Sequence, residues 1–306
     1  MEIKTVSIIG LGALGVLFGH HLSRRMPAGD LRVIADLERV DRYRREQVYC
    51  NGELCEFHYI TPEEDCDPAD LLIFSVKFHG LSAAVKAVEK HVGPNTIILS
   101  LLNGLGSEEM IGQAYGMDSI LYSVAQGMDA VKVGNRLTYQ NMGVICFGDR
   151  VPGPALSEKA EAVADFFDAV GLPYQVDGNM KKRLWGKFML NVGVNQAVAV
   201  YECEYGGIQR EGPARDTMIS AMKEVMLLSE RERVCLTQGD LDYWLRVLDG
   251  LNPHGKPSMR QDLEAGRHSE VELFAGVVLS LGKKHGLPCP TNQLLYDRIQ
   301  EMERHF

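Results

Sequence analysis

Several things are missing from this 306-residue chain, and the absences close off classes of protein. No run approaches the roughly 18 consecutive apolar residues that a membrane span requires. Nor does a basic stretch lead into an apolar one at the N-terminus, so the cytoplasm is the expected compartment and no membrane partner is expected. There is no C-x-x-C pair. The seven cysteines (Cys50, Cys55, Cys66, Cys146, Cys203, Cys235 and Cys289) are odd in number and scattered. That is the pattern of free thiols, not of a disulfide framework or a zinc site, so no metal is expected. Basic residues are not in excess either. The formal net charge of −9 argues against nucleic acid or an anionic membrane surface as partner, since both call for a basic face. Internal repeats and low-complexity tracts are absent too. With 45% hydrophobic and 24% charged residues, what remains is a globular protein long enough for two domains.

What the chain does have starts at its N-terminus. Val6-Ser-Ile-Ile9 is a short apolar run, largely β-branched and closed by glycine, which predicts a buried strand. Gly10, Gly12 and Gly15 follow as G-x-G-x-x-G, with Leu11, Ala13 and Leu14 between them. Leu14, Leu17, Phe18 and Leu22 then fall at helical spacing, the stripe a helix lays against a sheet. Strand before and helix after is the setting in which this motif binds a dinucleotide. The first glycine permits the tight turn, the second lets the backbone approach a pyrophosphate, and the third brings helix close to strand. The N–H groups at the positive end of the helix face the phosphates. The alternative is a glycine-rich turn with no ligand, and the flanking pattern weighs against it. Residues 10–15 are the expected cofactor cradle.

Leu31-Arg-Val-Ile-Ala35 reads as a second strand with Asp36 at its end, 21 residues beyond Gly15. A carboxylate there accepts hydrogen bonds from an adenosine ribose and repels a 2′-phosphate, which favours NAD over NADP. Two alternatives stay open: Asp36 as the solvated cap of the polar helix that follows, and Arg39 or Arg42 swinging in to offset its charge. Residues 56–60 form a short strand, and 70–77 a buried one that ends in Lys77. A helix over 81–91 precedes a strand over 96–104 ending in Asn103-Gly104, and another strand covers 119–125. This βαβ alternation predicts a parallel sheet, whose ligands sit at the carboxyl ends of the strands. Gly10, Gly12, Asp36, Lys77 and Asn103 all fall at such ends, which points to one cleft. The plainer readings are a solvated lysine and a turn asparagine. Residues 137–140 and 144–148 suggest an antiparallel hairpin added to the sheet. A loop over 151–154, a helix over 157–170 and a last strand over 173–177 complete this part.

Beyond Gly178-Asn179 the strand signals stop, and helices are expected over 180–200, 216–233, 240–248, 258–285 and 292–304. The expected fold class is therefore an α/β N-terminal Rossmann domain (mostly parallel sheet, antiparallel edge hairpin) over 1–178. An all-α C-terminal domain for substrate and dimerisation follows over 179–306, and an exposed face on it leaves a homodimer open. Lys187, Asn191 and Asn195, spaced i, i+4, i+8, share one helix face among the apolar Phe188, Met189, Leu190, Val192 and Val194. Polar groups in such a place need partners. Either they bond a neighbouring loop while Lys187 snorkels to water, or they form a site for a small-molecule keto acid. In the second case the lysine protonates a developing alkoxide and the amides hold a carboxylate or hydroxyl. Ser258 with Gln261 predicts a capping box, and a helix start of this kind suits a substrate carboxylate. Glu270, just ahead of the apolar run 271–281, is either solvated or the partner that tunes the lysine.

Together these motifs resemble the ketopantoate (2-dehydropantoate) 2-reductase family. The likeness rests on Gly10-Leu-Gly-Ala-Leu-Gly15, Ser75-Val-Lys77, Leu101-Leu-Asn-Gly104, and Leu184-Trp-Gly-Lys-Phe-Met-Leu-Asn191 followed by Asn195. Ser258-Met-Arg-Gln-Asp262 and Gly266-Arg-His-Ser-Glu270 extend it over nearly the whole chain. The resemblance implies reduction of 2-dehydropantoate to (R)-pantoate in pantothenate biosynthesis, usually with NADPH. It implies Lys187 as general acid and Glu270 as the acidic residue supporting substrate and lysine. Asn191, Asn195 and Ser258 match substrate-binding positions, and Lys77 and Asn103 match positions contacting cofactor and substrate. Two departures bear on this. Asp36 stands where many members carry an arginine for the 2′-phosphate, which turns the expectation towards NAD(H). Gln196-Ala-Val-Ala199 and Tyr205-Gly206 replace a Pro-Leu-Thr-Ala run and an Asn-Gly pair, so one substrate-contacting asparagine is missing. Two rivals follow: an NAD(P)-dependent reductase of another branched 2-keto acid, and a dinucleotide-binding regulator without turnover. Lys187 and Glu270 together argue against the regulator.

Overall fold

Four residues without an exposed face make β1 (Val6–Ile9), every one of them buried. The chain then runs through α1 (Ala13–Ser23), β2 (Leu31–Ile34), α2 (Leu37–Glu46), β3 (Tyr49–Cys50), β4 (Glu53–Leu54) and β5 (His58–Ile60). It continues through β6 (Leu71–Phe74), α3 (Leu81–Ala87), β7 (Ile97–Ser100), α4 (Ser107–Tyr115) and β8 (Ile120–Gln126). β9 (Val131–Val133), β10 (Arg136–Thr138), β11 (Val144–Gly148), α5 (Glu158–Ala169) and β12 (Tyr174–Val176) complete the first unit. The computed structural model describes every residue except Pro152 and Pro154, so part of the expected 151–154 loop lies outside the described residues.

Eight strands form one sheet in the order β12-β11-β8-β7-β6-β1-β2-β5. Its central strands are parallel, mostly apolar and almost wholly buried, as strands covered on both faces are. The chain goes outward from β1 to β2 and β5, then returns to β6 on the other side of β1. The order therefore reverses at β1, where open α/β sheets bind ligands. Register keeps the strand ends level: Ile9 pairs with Ile34 and with Phe74, and Phe74 pairs with Ser100. Gly10, Asp36 and Lys77 thus follow strands that finish at one edge. Leu17, Phe18 and Leu22 of α1 are buried, as their spacing predicts.

The antiparallel component has different partners from those expected. β11 pairs with β8, Ile145 opposite Ala125, and not with residues 137–140. Those residues belong instead to a separate four-stranded sheet, β4-β3-β10-β9. There β10 forms its hairpin with β9, Leu137 opposite Lys132. The Gly134-Asn135 turn, with Gly134 at φ +57, supplies a two-residue connection, which outcompetes the longer link to β11.

The second unit comprises Lys181–Phe306 together with Asn103–Leu105; the first comprises Met1–Leu102 and Gly106–Met180. The helices are α6 (Met180–Val200), α7 (Tyr205–Gln209), α8 (Pro213–Arg231), α9 (Gln238–Asp249), α10 (Ser258–Glu264), α11 (Ala275–His285) and α12 (Pro290–Glu303). Trp185, Phe188, Met189 and Val192 of α6 pack with Met218, Met222, Val225, Trp244 and Phe274 in one core. The single helix expected over 258–285 is in fact two. Gly266 at φ +64 ends α10 with N–H bonds from Gly266 to the Leu263 carbonyl and from Arg267 to the Asp262 carbonyl. This is the paired closure that a left-handed residue past a helix end allows. Among the described residues, no helix is long and apolar enough to cross a membrane.

Candidate active site

At the glycine edge the geometry is set by what is missing from the backbone. Gly10 has φ +100, and a Cβ there would meet Val76 and the Ser75 backbone at 2.7–2.8 Å. A Cβ on Gly15 would lie 2.0 Å from the Gly10 carbonyl oxygen and 2.7 Å from Ser75 Oγ. Gly12 differs: its nearest neighbour would be the Ser75 carbonyl at 3.6 Å, an ordinary contact. Gly10 and Gly15 are thus required by the turn itself, whereas Gly12 leaves open space. Gly12 is also the N-cap of α1 and provides no side-chain cap, so N–H groups of the first helical turn stay available to an anion. The chain fits a dinucleotide pyrophosphate here. Ser75, 8% exposed, fixes the turn by donating to the Gly10 carbonyl at 2.6 Å. Its role was missed in the sequence, although a serine ending an apolar strand is a polar group that must find a partner.

Asp36 caps α2, accepting the Arg39 N–H at 2.8 Å, and its carboxylate lies 3.5 Å from Arg39 Nε. It is exposed, so cap and cofactor contact are compatible roles. Lys77 is exposed and begins the short turn Phe78–Gly80.

Within the helical unit the structure brings several expected residues together. Lys187 Nζ donates to Asn103 Oδ1 at 3.1 Å. One turn further along α6, Asn191 Oδ1 accepts from Asn195 Nδ2 at 3.5 Å. Asn195 is 5% exposed, and its Oδ1 receives the Ser258 hydroxyl and the Met259 N–H, each at 3.4 Å. A line of polar groups therefore follows the stripe from Asn103 to Ser258. The capping box expected at Ser258 is not formed. Pro257 is the N-cap, Ser258 turns to Asn195, and Gln261 donates to the Lys256 carbonyl at 2.9 Å. Because the proline already supplies an extended backbone, the serine is inside the first turn and its hydroxyl is released.

Gly104, at φ +87, packs against Leu273, and a Cβ on it would approach that side chain to 2.6 Å. Leu273 closes a turn onto the Glu270 carbonyl through its N–H, 2.9 Å. The Asn103-Gly104 pair thus rests on the turn that Glu270 begins. The departures at Gln196 and Tyr205 have structural consequences. Gln196 Nε2 donates to the Val192 carbonyl at 2.7 Å and to Asn292 Oδ1 at 3.1 Å. Asn292 in turn donates to Glu224, which also accepts the Thr291 and Asn292 N–H groups at the start of α12. Gln196 is therefore part of a buried scaffold network. Tyr205 is tied to the loop ahead of Ser258 by its N–H on the Gly255 carbonyl, 3.0 Å, and burial pushes its hydroxyl up to about 12.

An open cavity of about 630 Å³ also lies in this unit, bordered by Tyr201, Thr217, Leu294, Arg298 and His305. None of the expected site residues lines it. Among the described residues, no group of three or more His, Cys, Asp or Glu could hold a metal ion.

The chain is similar to known proteins. Residues 6–151 match the family model described as ketopantoate reductase PanE/ApbA, and residues 179–303 match the model of that family's C-terminal part. A 2-dehydropantoate 2-reductase of Aquifex aeolicus (strain VF5) is 26% identical over 304 residues, covering 97% of this chain and 96% of that protein. Two solved structures share the fold. D-mandelate dehydrogenase with NADH and anilino(oxo)acetate has a TM-score of 0.85 at 20% identity, covering 98% of this chain and 99% of that one. A PanE/ApbA family ketopantoate reductase from Ralstonia eutropha JMP134 has a TM-score of 0.81 at 22% identity, with 98% and 99% covered.

Proposed function

The chain belongs to the ketopantoate reductase family, and from that premise we propose that it reduces 2-dehydropantoate to pantoate with a nicotinamide dinucleotide. The observation that carries the reading is the Lys187–Asn103 hydrogen bond, at the head of the amide stripe through Asn191 and Asn195. Residues 10–15 hold the pyrophosphate at the N-terminus of α1. The bound dinucleotide supplies the hydride. Lys187 gives a proton to the ketone oxygen as negative charge develops there. Asn103 keeps the ammonium group in place, and Asn191, Asn195 and Ser258 orient the acid, while Glu270 supports the lysine. Asp36 supports NADH as the faster cofactor, since a carboxylate disfavours the 2′-phosphate.

A second reading keeps this chemistry and changes the acid to an aryl 2-keto acid. The D-mandelate dehydrogenase neighbour and the Tyr205 ring, packed on Gly255 ahead of Ser258, favour it. The test is oxidation of NADH and NADPH, in parallel, driven by 2-dehydropantoate and by 2-oxo-2-phenylacetate. Higher kcat/KM on 2-dehydropantoate supports the first reading and higher kcat/KM on the aryl acid the second. Tight cofactor binding without turnover of either, or of other branched 2-keto acids, would defeat both.

A further inference from the structure

Resting on the reductase reading above, we propose that Glu108 is a positioning residue for the reaction, acting through Ser107 and Ser100 to hold shut the base of the loop that presents Asn103. β7 ends at Ser100 and α4 begins at Ser107, so residues 101–106 form the connection. Gly104 and Gly106 both lie at positive φ, +87 and +97. A short loop with two such glycines has little rigidity of its own.

Its base is closed by side chains. Ser100 Oγ and Ser107 Oγ are 2.7 Å apart, and the Ser107 hydroxyl donates to Glu108 Oε2 at 2.9 Å. With that proton committed, Ser100 donates to Ser107. Ser123 on β8 donates to the Ser100 carbonyl at 2.8 Å, tying the chain of hydroxyls to the sheet. None of Ser100, Ser107, Glu108 and Ser123 is more than 4% exposed.

A carboxylate so enclosed is costly unless its hydrogen bonds are made. The next residue, Glu109, takes the ordinary place of an acidic side chain in a first turn: it is exposed and accepts the Tyr122 hydroxyl at 3.0 Å. Burial, with the Glu109 charge beside it, moves the Glu108 carboxyl up to about 7. Glu109 on α4 and Tyr122 on β8 are the titratable groups near it. Ionised, Glu108 forces Ser107 to donate to it and Ser100 to donate to Ser107, which leaves one ordered arrangement. Protonated, it can itself donate to Ser107, and the order is lost. Asn103 in the same loop accepts from Lys187 Nζ, so the setting of the loop is also the setting of the lysine.

The experiment compares wild type, Glu108→Gln and Glu108→Ala. It measures kcat and KM from pH 5.5 to 8.5, NAD(P)H affinity, and hydrogen exchange of peptides covering 101–107. Glu108→Ala is expected to lower kcat by about 10- to 100-fold, the effect of misplacing a reacting group by an ångström. Cofactor affinity should hold, and exchange should accelerate in 101–107 but not in β1 or β6. Glu108→Gln keeps an acceptor for Ser107, so it should restore most of kcat and remove the inflection near pH 7. Wild-type kcat with unchanged loop exchange in Glu108→Ala overturns the proposal. So does equal damage in both variants, spread over all peptides. If the wild type reduces no keto acid the reductase reading fails separately, and loop exchange in the two variants still decides whether Glu108 holds the loop.

Discussion

The glycine edge of the first unit and the polar stripe of the second are built on opposite terms. At residues 10–15 the working parts are backbone groups, and at Gly15 a side chain is excluded because an added methyl would collide with the Gly10 carbonyl. On α6 the backbone is an ordinary helix, from which Lys187 reaches Asn103 while Asn191 and Asn195 bond one another. The first tolerates no added atom at Gly10 or Gly15, and the second no lost functional group. Substitutions should therefore fail in different currencies: shape and cofactor affinity at one, turnover at the other.

The largest effect expected is on chemistry. Lys187→Ala should lower kcat by about 10²- to 10⁴-fold, the range for a lost general acid, with NAD(P)H affinity and melting temperature nearly unchanged. A variant that melts early and keeps its turnover per folded molecule would show the lysine to be scaffold. Next comes the glycine edge, where the two glycines should separate. Gly15→Ala should destabilise the protein by about 1–3 kcal/mol through overpacking and weaken cofactor binding as well. Gly12→Ala, with only a 3.6 Å neighbour, should melt as the wild type does yet bind NAD(P)H at least about tenfold more weakly, since its methyl faces the incoming phosphates. Unchanged affinity in Gly12→Ala would remove the argument that backbone approach matters there. The smallest effect concerns Asp36. Asn caps a helix about as well as Asp, so Asp36→Asn should keep stability while shifting preference towards NADPH by about fivefold, the worth of roughly 1 kcal/mol for one nearby charge. A lower melting temperature with an unchanged NADH-to-NADPH ratio would reduce Asp36 to its cap.

Legibility in the sequence followed the range of the interactions. The strand of β1, the glycine turn and the α6 stripe could all be read because each is encoded within about a dozen residues, by period or spacing. The split at Gly266 was readable too, since a glycine after Glu264-Ala265 is an ordinary helix stop, but the apolar run beyond it masked the signal. Ser258 misled for a local reason: with Pro257 ahead of it the serine sits one position too far in to cap. Glu108 carried no signal at all. An acidic residue in the first turn of a helix ordinarily faces water, and this one is inside, bonded to Ser107, which in turn meets Ser100 of β7.

By itself the sequence determined where the central strands of the sheet and the long helices α1, α5, α6 and α8 run, which edge of the sheet carries the glycines, and which face of α6 carries the lysine and the amides. These follow from local backbone preference and from periodicity, which act within single elements. Tertiary structure alone decided that β11 pairs with β8, that Gln196 belongs to a buried network with Asn292 and Glu224, and that Asn103 meets Lys187. Each of these joins residues far apart in the chain, whose meeting depends on how whole elements pack and on where buried polar groups find their partners.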